Sequence, residues 1–472
     1  MRTRLKKFTQ FADGLLPHET RYLLSVQQMV DPVKLEILKQ IDVNCKSSEP
    51  TILYDDSIDK RKYSHLKNWI VRQLKAIDVD EEYAWMCDLE QKIHWDNINP
   101  EEEKHLLKFI RNYSHPIFNF IKFYEVVRQY RQFLLVRLRY ADHQFVDHFL
   151  REYQAAYERS HLVNQQLHQA TRDIIDHYAE NSSESIQWEK WLSDVFYDDY
   201  LDGFNRYTAL IRLVFIAFNY NKYTRVKEMF DYLDQAFADG KYYSRRILLN
   251  YYNNRLLLHT RLKELDQAEY YGKLSIRGKN YDFIFYVNNL CSLLLQSGKV
   301  DESWNILREA LPSLKTTHNY HSRIGFVALY IKTLIMKGEY EKAYSYGEIN
   351  LRAYEKEILR YRWHRFFVSY LECLLFLGKY SELVIVVNKY GLLDKEEKYK
   401  TRPHYLPTIS WYFFLAQYQL GDLSFSRLIE QFQDCLPAQE EMNRSMFMTL
   451  MERLKKRFPQ LDKRLMEMFL IT

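Results

Sequence analysis

Glycine and proline are scarce in this chain, with 12 and 10 in 472 residues. No glycine stands between Gly14 and Gly203, and no proline between Pro116 and Pro312. Doubly wound sheets, hairpin-rich sandwiches and phosphate-cradling loops all need glycine at their turns. Long stretches without either residue instead favour helices joined by short polar turns. The fold class expected is all-α. Cysteine is also sparse. Cys45, Cys87, Cys291, Cys373 and Cys435 are odd in number and form no C-x-x-C pair, which fits buried thiols in a reducing compartment rather than a disulfide framework. Long apolar runs are missing: Leu213–Phe218 and Leu383–Val387 are far too short to span a bilayer. Thr9, Gln10 and Asp13 interrupt the start before any leader-like apolar core forms. A cytoplasmic protein with no membrane partner is expected. No G-x-x-x-x-G-K-[ST], G-x-G-x-x-G or G-x-S-x-G occurs, so nothing positive points to an enzyme.

What is abundant is tyrosine, with 39 residues, more than glycine and proline together. Rings with a polar tip suit half-buried helix-packing surfaces, or an aromatic-lined groove. The net charge of +5 is unevenly spread. Residues 1–200 carry 27 Lys+Arg against 32 Asp+Glu, and residues 201–472 carry 40 against 30. The basic C-terminal part favours an acidic partner. Nucleic acid is less favoured, because it normally requires a concentrated basic stripe.

Along the chain, residues 18–41 read as two helices, with Asp31 as N-cap and Pro32 in the first turn. Residues 44–62 read as a polar loop, and Leu66–Ile77 has helical spacing. Asn99-Pro100-Glu101-Glu102-Glu103 is a helix start, combining N-cap, first-turn proline and carboxylates at the positive helix end. From Ile117 to about Tyr178 the chain forms one very long helix or two. Asn181–Ser185 breaks it, which sets the expected domains: an α-helical N-terminal domain over 1–200, repeats over 205–440 and capping helices over 441–472. Residues 392–407 read as the longest loop among the repeats, and Leu461–Leu470 as the closing helix.

The repeats show in six turn signals. They begin at Asn221, Lys263, Gly298, Gly338, Gly378 and Gly421, with spacings of 42, 35, 40, 40 and 43. An apolar residue follows two places on (Tyr223, Leu265, Val300, Tyr340, Tyr380, Leu423). A mostly small or aliphatic one follows five places on (Val226, Ala268, Ser303, Ala343, Leu383, Ser426). A fixed period of this size is the mark of stacked helical hairpins, none of which buries its apolar face alone. The turn Gly338-Glu339-Tyr340-Glu341-Lys342-Ala343 resembles that of the tetratricopeptide repeat, Gly-x-Tyr-x-x-Ala, and Gly298–Ser303 and Gly378–Leu383 match in part. Two features depart from that family. The period is mostly near 40 rather than 34. The family's first-helix glycine is replaced by Val214, Leu256, Cys291, Ile331, Leu371 and Phe414.

The resemblance implies a tetratricopeptide-like helical-hairpin solenoid whose first helices line a concave groove. In that family, groove asparagines hold the backbone or terminal carboxylate of an extended peptide. Tyr251-Tyr252-Asn253-Asn254 and Tyr286-Val287-Asn288-Asn289 lie 35 apart, the same offset as their turns. By that analogy the peptide- or partner-binding candidates are Asn250, Asn253, Asn254, Asn288, Asn289, Lys332 and Arg365. An amide donates and accepts at once, as a peptide group does, and Lys and Arg meet carboxylates. The competing reading is that these asparagines cap or solvate helix faces. Arg360-Tyr361-Arg362-Trp363-His364-Arg365 interleaves arginine with aromatics, a pattern of phosphate and base contacts or of arginine stems lying over an apolar face. No metal or cofactor is expected: His143 and His148 miss i, i+4 spacing, and Tyr200 and Ala209 spoil a calcium loop at Asp198–Gly203. The expectation is a non-catalytic scaffold that binds a protein or peptide. The alternative is a ligand-sensing regulator whose N-terminal helices relay to an effector or to DNA.

Overall fold

A computed structural model describes residues 5–47, 52–180, 184–220, 222–400, 405–435 and 444–461. The protein is all-α: among the described residues every regular element is helical, with no strand. By its internal contacts the chain divides into two compact units, residues 1–278 and 279–472. Packing thus groups the first two repeat turns with the N-terminal helices, whereas composition alone places the division between 181 and 203.

The first unit opens with α1 (Lys6–Asp13), α2 (Pro17–Val26), α3 (Pro32–Lys46) and α4 (Lys60–Ile77), which share one core around Phe8, Leu23, Leu38, Ile41, Tyr63 and Ile70. Asp31 caps α3, its carboxylate accepting the Val33 N–H at 3.0 Å. A second core joins α5 (Val79–His94), α6 (Pro100–Arg111), α7 (Phe120–Val136) and α8 (Tyr140–Glu180). The start at Asn99 forms a reciprocal cap: Glu102 N–H donates to Asn99 Oδ1 at 2.9 Å, and Asn99 N–H to Glu102 Oε2 at 3.2 Å. The stretch after Ile117 is two helices, because Leu138 takes φ +59° between α7 and α8.

Helices α9 (Trp188–Tyr197), α10 (Gly203–Tyr220), α11 (Thr224–Ala238), α12 (Arg245–Arg261) and α13 (Leu265–Ser275) complete this unit. Helix α2 docks on α11 and α12 through buried polar contacts. The two ring nitrogens of His18 lie 2.7 Å from the Tyr252 hydroxyl and 2.7 Å from Asp234 Oδ1. The Tyr243 hydroxyl donates to buried Glu19 at 2.8 Å.

The second unit contains α14 (Phe283–Gln296), α15 (Val300–Thr316), α16 (Tyr320–Met336), α17 (Tyr340–Ala353) and α18 (Glu355–Glu357). A π-helical turn (Ile358–Arg362) leads into α19 (Trp363–Phe376), α20 (Tyr380–Tyr390), α21 (Leu392–Tyr399), α22 (Thr408–Leu420), α23 (Phe425–Asp434) and α24 (Arg444–Arg457). Successive helices pair as hairpins, and α14, α16, α19 and α22 pack side by side in that order, with one core running from α16 through α19 and α22 to α24. Part of the expected loop at 392–407 is α21. Its Lys/Glu-rich sequence conceals a buried edge of Leu392 and Glu396, and the Glu396 carboxylate accepts the Ile409 and Ser410 N–H groups at 3.1 and 2.7 Å, capping α22. The expected closing helix lies, beyond Leu461, outside the described residues, as does Asn221.

One backbone hydrogen bond recurs at all six turns. The N–H one place after each turn's first residue donates to the carbonyl five residues back: Lys222 to Ala217, Glu264 to His259, Lys299 to Leu294, Glu339 to Leu334, Lys379 to Leu374 and Asp422 to Gln417, at 2.8–3.0 Å. That bond requires a left-handed residue. Lys263, Gly298, Gly338, Gly378 and Gly421 supply it, with φ of +62° to +85°. A Cβ on any of these four glycines would touch nothing within 4 Å, so conformation rather than space selects glycine. Val226, Ala268, Ser303, Ala343 and Leu383 are buried as their spacing implies. Ser426 is exposed, because α23 begins late and Leu428 fills the core instead. Where Ile331 replaces the family's first-helix glycine, the small residue sits on the facing helix. A Cβ on Gly347 of α17 would lie 3.3 Å from Ile331 Cδ1 and 2.5 Å from Tyr370 Cδ2.

Candidate functional site

The residues singled out by sequence fall into two sets. Asn250, Asn253 and Asn254 stand on α12 of the first unit. Asn253 is buried. Asn250 Oδ1 accepts from the Tyr207 hydroxyl at 3.1 Å and from Asn254 Nδ2 at 3.0 Å. Asn288 and Asn289 stand on α14, Lys332 on α16 and Arg365 on α19 of the second unit. Asn288 is buried, and its Nδ2 donates to the Ser322 carbonyl of α16 at 2.8 Å. Gly325 lies beside it: a Cβ there would come within 3.2 Å of that amide. Asn289 is half-buried. Arg365 reaches back to α14, where Nη2 donates to Ser292 Oγ at 3.5 Å. This bond links α19 to α14 past the intervening α16.

Charge in the second unit is partly buried. Lys332 donates to Glu372 of α19 at 2.5 Å, and Arg453 of α24 reaches the same carboxylate at 2.9 Å. Glu372 is only 1% exposed. Loss of water pushes its carboxyl up to about 8 and the Arg453 guanidinium down to about 10, so burial opposes both charges; what opposes burial is the contact geometry, with Lys332 and Arg453 each within ion-pair distance of the carboxylate. Near the start of α16, burial together with Arg362 and Arg365 pushes the His321 imidazole down to about 4. Arg362 and Arg365 thus set positive charge beside His321 where the Arg/aromatic run enters α19.

A second site was not foreseen. The first unit holds a cleft of about 1090 Å³. Its walls come from the end of α4, from α5 and α6, from residues 116–118, from 199–206 and from 232–242. The lining is aromatic: Trp85 packs 5.4 Å from Phe109, and Phe118 meets Tyr242 edge-on at 5.8 Å. Gly203 allows the start of α10 to lie against Phe118, since a Cβ there would stand 2.6 Å from its ring. Arg206, also in the lining, is buried and spent on the Phe196 carbonyl (2.8 Å), the Tyr232 hydroxyl (3.0 Å) and Asp199 (2.9 Å). Glu82 lines both this cleft and an adjoining one of about 420 Å³, and burial pushes its carboxyl upward.

No protein-family model, curated protein or solved structure matches this chain. Among the described residues, no group of three or more His, Cys, Asp or Glu is placed to hold a metal ion, and no helix is long and apolar enough to cross a membrane. Sequence reasoning missed Glu82, Trp85, Phe109, Phe118, Tyr232 and Tyr242. They come from segments more than a hundred residues apart, and no spacing in the chain links them.

Proposed function

We propose that the chain is a non-catalytic binding protein whose hairpins are tetratricopeptide-like repeats holding an extended, acidic peptide or protein segment. The observation that carries this reading is the recurrence of one backbone hydrogen bond at each of the six signals, together with the side-by-side order of α14, α16, α19 and α22. A stack of that kind offers a long surface rather than a pocket. Arg365 and Arg362 would meet carboxylates of the partner, and Asn289 its peptide groups. Lys332 is already committed to Glu372, so it would shape the surface rather than contact the partner. The test is an array of random acidic, neutral and basic peptides probed with the full chain. Acidic peptides are expected to dominate, and Asn289→Ala/Arg365→Ala should lose at least about tenfold in affinity. Equal binding by that variant would move the site off this face.

The cleft of the first unit favours a second reading, a ligand-sensing regulator. A molecule there would touch both residues 75–118 and residues 199–242. It could therefore bias their arrangement if it bound one arrangement better than another.

A further inference from the structure

Among the acids lining the cleft of the first unit, Glu82 is the one with neither a cation nor a capping role; of the lining cations, Lys75 and Arg206 are taken up by other acids and Lys241 makes no ion pair among the described residues. Four of its five carboxylates have partners. Glu81 faces Lys75 at 3.2 Å, Asp88 faces Lys92 at 2.6 Å and Asp199 faces Arg206 at 2.9 Å. Asp78 accepts the N–H groups of Asp80 and Glu81 at 2.9 and 3.3 Å, as the cap of α5. The fifth, Glu82, pairs with no cation among the described residues. Its side-chain neighbour is the Asn119 amide, which also donates to the Val79 carbonyl at 2.8 Å. A half-buried carboxylate that has an amide and the first turn of α5 beside it but no cation is incompletely compensated. Burial accordingly drives its proton affinity up.

The rest of the lining narrows what would complete it. Trp85, Phe109, Ile117 and Phe118 line the same cleft as Glu82. Such surface takes an apolar body, and aromatic faces attract a cation set above them. An anionic ligand set beside these rings would meet the uncompensated Glu82 carboxylate, with Lys241 as the one lining cation among the described residues not already paired. A neutral ligand would leave Glu82 as it is. The volume, about 1090 Å³, matches a small molecule held in a largely preformed site.

We propose that this cleft binds a small apolar amine, its ammonium paired with Glu82 and its hydrocarbon or aromatic body against Trp85, Phe109 and Phe118. The proposal deepens the ligand-sensing reading by naming the ligand's chemistry. Ligand and receptor each supply what the other lacks: the amine gains a desolvated counter-charge, and Glu82 gains a cation that the protein does not provide.

The test uses the full chain and isothermal titration calorimetry at neutral pH and low salt. Tryptamine, phenethylamine and hexylamine are compared with their alcohol counterparts, which keep the body and lose the charge. At least one amine is expected to bind about tenfold or more tighter than its alcohol, the worth of one charged hydrogen bond. Glu82→Gln, which keeps the size and a polar contact for Asn119, should abolish that preference with the melting temperature unchanged. Asp88→Asn, whose carboxylate already faces Lys92, should retain it. If no amine outbinds its alcohol, or if Glu82→Gln keeps the preference, the proposal is overturned. Limited proteolysis with and without the bound amine separates the two claims. Binding with an unchanged cleavage pattern upholds the amine site and removes the sensing role.

Discussion

Lys332 gives the sharpest separation between a groove residue and a structural one. As a ligand-binding side chain on an open face it should be dispensable for folding. The structure instead places its ammonium 2.5 Å from Glu372, a carboxylate 1% exposed, with Arg453 on its other oxygen at 2.9 Å. Removing one partner of a buried ion pair typically costs about 3–5 kcal/mol, because the other charge is left uncompensated. Here Arg453 stays, and the Lys332 side chain keeps 21% of its surface exposed. A loss of about 2–3 kcal/mol is therefore expected for Lys332→Ala. For a unit of this size that is a fall of roughly 4–12 °C in melting temperature. Differential scanning fluorimetry and urea titration read it directly. The apolar replacement Lys332→Met/Glu372→Leu/Arg453→Met removes all three charges together and should return stability to within about 1 kcal/mol of wild type. A Lys332→Ala protein melting within about 1 °C of wild type would refute the reasoning, since it would mean that Glu372 reaches water or a proton without the lysine.

Three further outcomes follow. Gly338→Ala should cost about 1–2 kcal/mol in urea unfolding although a Cβ would touch nothing, because the price is the left-handed backbone alone. Lys263→Gly, at the one described turn whose left-handed residue bears a side chain, should gain up to about 1 kcal/mol, and a loss there would show that the lysine stem makes contacts worth more than the strain. In the first unit, Asp202 is buried, and burial pushes its carboxyl from 3.8 up to about 6. The native state then binds that proton more tightly than the unfolded chain does. The stability the group contributes is full below 3.8 and is lost as pH rises through about 6. Asp202→Asn removes this slope, so its stability relative to wild type should climb across that window in urea titrations at stepped pH, and a flat difference would rule the shift out.

The elements legible in the sequence are those set by local backbone chemistry. Asp31 and Asn99 announce helix starts because their side chains bond backbone N–H groups within three residues. The turns at Gly298, Gly338 and Gly378 announce themselves because only glycine adopts the left-handed geometry without strain, and Lys263 was found only through the period they set. Residues 392–399 were misread because charge density hides a helix whose buried edge is as short as Leu392 and Glu396. The role of Lys332 was hidden for a different reason. Glu372 lies 40 residues further on, one repeat away, and nothing local distinguishes a lysine that faces solvent from one that faces a buried acid. The cleft was illegible altogether, since Glu82 and Tyr242 meet only through the docking of remote segments, and its aromatics read as ordinary core.

The contact between Arg453 and Glu372 makes the second unit a structure of fixed count. Hairpins joined by identical turns can in principle be added or removed one period at a time without disturbing any single turn. Lys332 of α16 and Arg453 of α24, however, reach the two oxygens of one acid on α19, so deleting a hairpin between them, or inserting one, would strand a charge in the interior. The number of steps between α16 and α24 is in this sense measured by electrostatics, and the repeat that looks modular along the chain is not modular in energy.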